Sequence, residues 1–108
     1  MGTRVLNHGQ VTWINIEQPS PQDMESLRQQ YSFHPLDLED CLSRIERPKI
    51  DEYDDYLFII MQFPVFDHDH RVSRPGEVDM FIGAGYLVTV HEGNLWPINH
   101  LFNACQAD

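Results

Sequence analysis

The sequence predicts an α/β domain, with a mixed β-sheet layered against helices. Three observations carry that expectation. Residues 11–17 are dominated by strand-favouring side chains, and residues 21–48 hold two successive stretches of helical spacing. Residues 57–61, 77–83 and 86–92 then form three strand-like runs separated by turn residues. The order strand, helix, helix, strand, strand, strand, helix implies a crossover through the helices followed by an antiparallel meander.

The first strand is expected over residues 12–16, where Ile14 and Ile16 alternate with Trp13 and Asn15. Ser20 is a good N-cap and Pro21 suits the first helical position. Met24, Leu27 and Tyr31 recur at helical spacing, so the first helix should cover residues 21–31 with one stripe facing the core. His34 precedes a proline, which pushes it out of the α region and lets Pro35 open a second helix. Leu36, Leu38, Cys41 and Leu42 supply its apolar side, residues 43–47 end it, and Pro48 stops it. Asp37 lies in its first turn, where the helix dipole favours a carboxylate by about 0.3–1 kcal/mol. Asp40 lies too far along to share that benefit.

An acidic and aromatic lead-in, residues 50–56, runs into Leu57, Phe58, Ile59, Ile60 and Met61. Both alternating sides of that run are apolar, which predicts a strand covered on both faces. At Pro64 the pairing should be interrupted or become an edge, because proline cannot donate to a ladder, with Val65 and Phe66 continuing the strand briefly. Residues 67–70 and 72–76 read as loops. The glycines around Ala84 signal a hairpin between strands at 77–83 and 86–92. Residues 96–104 read as a final helix, with Ile98, Leu101 and Phe102 on its apolar side. The chain stops at Asp108 with neither cap nor closing loop, so it is expected to be part of a longer protein.

Length and composition narrow the function. With 108 residues the chain fits a single domain, residues 1–108. Seven Lys and Arg against 17 Asp and Glu give a net charge of −10, which argues against a nucleic-acid partner or an anionic lipid surface. An acidic surface suits cations or basic partners. Cys41 and Cys105 are too few for a disulfide framework or a zinc knuckle. Cys41 sits in a helical pattern as a buried thiol would, consistent with a reducing cytoplasm. Residues 1–10 lack the apolar stretch of a signal peptide, so none is expected there, and no apolar run approaches the ~20 residues of a membrane helix.

Motifs for catalysis are missing: no phosphate-binding glycine loop, no G-x-S-x-G and no H-E-x-x-H. The chain is therefore expected not to be an enzyme. Asp67, His68, Asp69 and His70 form the one cluster with metal-ligand chemistry. In a strand, however, the two aspartates and the two histidines would point to opposite sides. A polar loop tip is the plainer reading, with a small acidic metal-dependent hydrolase as the functional alternative. His34 reads as a cap or packing residue in preference to a metal ligand.

Five segments carry a family resemblance. They are W-I-N-I at 13–16, H-P-L-D-L-E-D at 34–40, R-P-K at 47–49, the run from Tyr53 to Met61, and Y-L-V-T-V-H at 86–91. In this order and spacing they resemble the N-terminal cytoplasmic domain of CorA-type divalent-cation transporters, over about residues 12–92. The Gly-Met-Asn triplet of that family, which ends its first membrane helix, does not occur in this chain.

The resemblance implies an α/β/α sandwich truncated before the stalk helix and the membrane helices. It implies a regulatory domain on the cytoplasmic side of the cell membrane, reaching that membrane only through later helices. It also implies neighbouring subunits of a homopentamer as partners, and weak regulatory Mg2+ bound between them, with Co2+ or Zn2+ as alternatives. By the motif match Asp40 is the metal carboxylate and Glu39 a secondary candidate, with the partner acid on the stalk of the next subunit. A zinc-transporting relative would look much the same at this length.

Overall fold

The computed structural model describes residues 2–43, 47–67, 72–92 and 96–107. Among them the chain runs β1 (Gly2–His8), β2 (Val11–Glu17), α1 (Pro21–Gln30), α2 (Pro35–Leu42), β3 (Lys49–Glu52), β4 (Tyr56–Asp67), β5 (Val72–Gly83), β6 (Tyr86–His91) and α3 (Trp96–Ala107). The strands form one mixed sheet in the order β1-β2-β6-β5-β4-β3. Only the central β2–β6 pair is parallel; the other four pairings are antiparallel. From β2 the chain crosses through α1 and α2 to the far edge and meanders back to lie beside β2, as the element order implied.

Local chemistry explains the helix starts. Ser20 Oγ accepts from the Asp23 N–H at 3.2 Å, and the Asp23 carboxylate accepts from the Ser20 N–H at 2.9 Å, a reciprocal capping box. His34 caps α2 through Nδ1, which accepts from the Leu36 N–H at 3.1 Å. Between the helices Phe33 plugs into the core, stacking on Phe81 at 4.1 Å and meeting Tyr56 at 4.9 Å.

The core lies between the sheet and the α1–α2 pair. Ile14, Ile16, Phe58, Ile60, Phe81, Val88 and Val90 face Met24, Leu27, Leu38 and Cys41. Phe58 and Phe81 are both fully buried, and each such side chain contributes about 1.5–3 kcal/mol.

The opposite face carries a buried polar row where β2 and β6 run parallel. Trp13 Nε1 donates to Thr89 Oγ1, and that hydroxyl donates to Asn15 Oδ1. His91 Nε2 lies 3.1 Å from the same oxygen, which as an acceptor requires the proton on that nitrogen. Burial pushes His91 below its ordinary pKa, so it stays neutral. Helix α3 lies over this row, with Phe102 edge-on to Trp13 at 4.9 Å and Arg4 over the Phe102 ring.

Several expectations need correction. β1 was not foreseen, because its residues lack a clear alternation and most stay exposed. The acidic lead-in contains an edge strand, β3, where charged residues serve well because one side of the ladder meets water. Pro64 does not interrupt β4: it pairs with Pro75, and the ladder continues to Asp67 opposite Val72. An antiparallel ladder uses N–H groups only at alternate facing pairs, so two opposed prolines can share an unused rung. Residues 72–76, read as a loop, therefore belong to β5.

β4 is also covered unevenly. Phe58 and Ile60 are buried, whereas Leu57 and Ile59 are half-buried and Met61 is exposed. Ile50, Phe63 and Ile82 are likewise exposed. Leu36, Leu42 and Leu101 face outward, although helical spacing had placed them on apolar sides. The Ala84–Gly85 turn joins β5 to β6 as expected, with Gly85 at φ +81°, a conformation open to glycine.

Candidate functional site

Helix α2 turns about 100° per residue, which sends Asp37, Leu38 and Cys41 toward the sheet, Leu36 and Glu39 outward, and Asp40 to the flank. The sequence thus distributes three acids of one motif among three environments. Asp37, 1% exposed, accepts from the Tyr53 hydroxyl at 3.1 Å and from the Tyr56 hydroxyl at 2.8 Å. The Tyr56 oxygen in turn accepts from the His34 N–H at 2.7 Å. These bonds tie the H-P-L-D-L-E-D segment to the E-Y-D-D-Y segment that leads into β4. Burial pushes the Asp37 carboxyl above its ordinary pKa, against the pull of the two hydroxyls. Burial likewise raises Tyr56, keeping the phenol a donor.

Asp40 meets a different partner. Its Oδ2 accepts from Lys49 Nζ at 2.8 Å, and the same ammonium lies 3.1 Å from Asp51 Oδ2. Side-chain exposures are 20% for Asp40, 36% for Lys49 and 40% for Asp51, so the cluster opens to solvent. Lys49 and Asp51 share one side of β3, and their register partners Ile60 and Phe58 show that it is the side beneath α2. Bonding to Asp40 raises the Lys49 pKa and holds it charged. Glu39, next along the helix, is exposed.

Asp79, at 2% exposure, faces α2 from β5 and is a third kind of carboxyl. Its desolvation, with Glu77 beside it, pushes its pKa up to about 9. Its Oδ1 has no partner among the described residues. Cys41 is buried, as its helical position implied, and its thiol pKa is raised chiefly by burial.

Of the residues singled out from sequence, His34 is a cap, and Asp40 and Glu39 lie at the surface of α2. Asp67 ends β4; His68, Asp69 and His70 lie outside the described residues. Among the described residues no three or more His, Cys, Asp or Glu side chains gather to hold a metal. Elsewhere a half-open cavity of about 290 Å³ is lined, among the described residues, by Leu6, His8, Val11, Trp13 and Cys105, none of them a carboxylate for a hard cation. Sequence reasoning missed Lys49, Asp51 and Asp79. The only signal for the first two was the alternation of K-I-D, which puts both side chains on one face if the segment is a strand.

The sheet order and its helix pair define a fold class, a mixed α/β sheet in which a two-helix crossover precedes an antiparallel meander. The fold matches the soluble domain of CorA from Methanocaldococcus jannaschii with a TM-score of 0.75 at 22% identity, covering 92% of this chain and 38% of that one. It matches the cytoplasmic domain of ZntB from Vibrio parahaemolyticus with a TM-score of 0.73 at 14% identity, covering 92% and 41%.

The family described as CorA-like Mg2+ transporter protein matches residues 8–108, and the chain belongs to that family. YfjQ of Bacillus subtilis, provisionally named a metal ion transporter, is 35% identical over 83 residues, 75% of this chain and 25% of that protein. The cobalt/magnesium transport protein CorA of Thermotoga maritima is 35% identical over 82 residues, 75% of this chain and 23% of its own length. The chain therefore spans about a quarter of the relatives it matches. No described helix is long and apolar enough to cross a membrane.

Proposed function

We propose that this chain is the cation-sensing regulatory domain of a CorA-like transporter, on the cytoplasmic side of the membrane, and that Asp40 is its metal-contacting carboxylate with Glu39 in support. The observation that carries the reading is the Asp40 carboxylate. It is partly exposed and held in orientation through Oδ2 by Lys49. Such a donor fits Mg2+, a hard ion that keeps most of its waters and takes one or two carboxylates. Asp37 does not fit the role, because two tyrosine hydroxyls occupy it and the fold encloses it.

The complementary acid would come from the stalk of a neighbouring subunit in a pentamer. Bound there, a dication supplies the charge that cancels repulsion between two acidic faces. This chain's residues present Asp40 at the surface beside the Lys49 ammonium. One such contact is weak, but repeated around a ring it biases a two-state gate. The domain itself performs no catalysis in this reading.

A zinc-transporting protein is the alternative, because the ZntB domain shares the fold to nearly the same TM-score. Co2+ would meet the same carboxylate, and the transported ion is set by the pore. The test is transport by the full-length protein across millimolar Mg2+. Asp40→Ala should blunt the Mg2+ response, with Glu39→Ala weakening it less. An unchanged response in Asp40→Ala overturns the assignment.

A further inference from the structure

Lys49 stands between two carboxylates that belong to different elements. Its ammonium bonds Asp40 of α2 at 2.8 Å and Asp51 of β3 at 3.1 Å, and it lies 5.7 Å from the Phe58 ring centre. An ammonium has three donors, so holding both oxygens at once leaves one for water. The three groups sum to a single negative charge, while Asp40 without Lys49 would belong to a doubly negative pair.

We propose that Lys49 is a tethered counter-cation that sets the divalent-cation concentration at which Asp40 becomes occupied, with Asp51 as the carboxylate onto which the ammonium withdraws. The inference rests on Asp40 being the sensing carboxylate. A dication arriving at Asp40 must share that carboxylate with a positive charge already in contact with it. At about 6 Å in water-like dielectric this repulsion corresponds to roughly tenfold in occupancy, and salt screening reduces it to several-fold. Asp51 limits the penalty, because the ammonium keeps a charged partner when it gives up Asp40. Lys49 is thus a positioning and threshold-setting residue, since in this arrangement it touches the carboxylate and never the ion.

The experiment uses the full-length transporter, with two readouts against added Mg2+: the concentration that half-inhibits transport, and the Mg2+-dependent rise in melting temperature of the purified protein. Lys49→Met keeps an unbranched apolar stem and removes the charge. It should lower both midpoints about three- to tenfold, and Lys49→Arg should stay within twofold of the wild type. Asp51→Asn should move both midpoints upward. Its outcome decides the matter if Lys49→Met does not fold.

A Lys49→Met midpoint that is unchanged or raised overturns the inference, as does an Asp51→Asn midpoint that is unchanged or lowered. Asp40→Asn separates the two readings. If it leaves the Mg2+ response intact, the sensing assignment itself has failed. If it abolishes the response while Lys49→Met moves nothing, only the counter-cation inference has failed.

Discussion

Asp37 and Asp40 share one eight-residue helix, yet one carboxylate is enclosed by two tyrosine hydroxyls and the other sits half-open beside an ammonium. Three residues of helix rotate a side chain by about 300°, enough to carry it from the sheet-facing side to the flank. The buried acid joins α2 to the start of β4 and the residues leading into it. Its neighbour at the flank bonds Lys49 and stays partly exposed. Motif membership therefore does not assign a role; the solvent around each carboxylate does.

The comparison can be broken at its buried end first. Asp37→Ala should lower stability by about 2–4 kcal/mol, because it leaves the Tyr53 and Tyr56 hydroxyls without their acceptor. Tyr56→Phe should cost about 1–2 kcal/mol, and urea denaturation measures both. A loss below about 0.5 kcal/mol for Asp37→Ala would show that the enclosed carboxylate contributes no more than a surface one.

Asp79 extends the buried side of the contrast into pH. Its folded pKa, pushed up to about 9, lies above the unfolded value of about 3.9. The folded chain therefore keeps a proton that the unfolded chain releases. The resulting stabilisation is fully present below about pH 4 and is lost as pH rises through about 9. Between pH 5 and 8 stability should fall by about 0.5–1 kcal/mol per unit, and Asp79→Asn should flatten that slope in denaturation curves. An equal slope in the variant would refute the assignment.

The smallest effect belongs to the exposed end. Asp40→Ala should change stability by less than about 1 kcal/mol, and the change should shrink further in molar salt. A loss as large as that for Asp37→Ala would erase the distinction between the two acids.

Much of the scaffold was legible locally. Ser20 with Pro21 and His34 with Pro35 fixed the helix starts, because capping is decided within three residues. The turn at Ala84–Gly85 was readable for the same reason. β1 and β3 were not, since short edge strands with charged or exposed residues acquire their pairing from neighbours. The H-P-L-D-L-E-D motif pointed to Asp40 and Glu39 but gave no hint that Lys49 would engage Asp40 across 9 residues.

By itself the sequence determined the helix starts, the hairpin turn, the order of the elements other than β1 and β3, and the family, all of which are written in short segments and their spacing. Only the tertiary structure decided which acid is enclosed and which is open. It also brought Trp13 and Asn15 to Thr89 and His91 across 74 and more residues. The physical reason is that desolvation and charge pairing depend on what lies across the interface from a side chain. Chain order does not specify that neighbour until the sheet has closed beneath the helices.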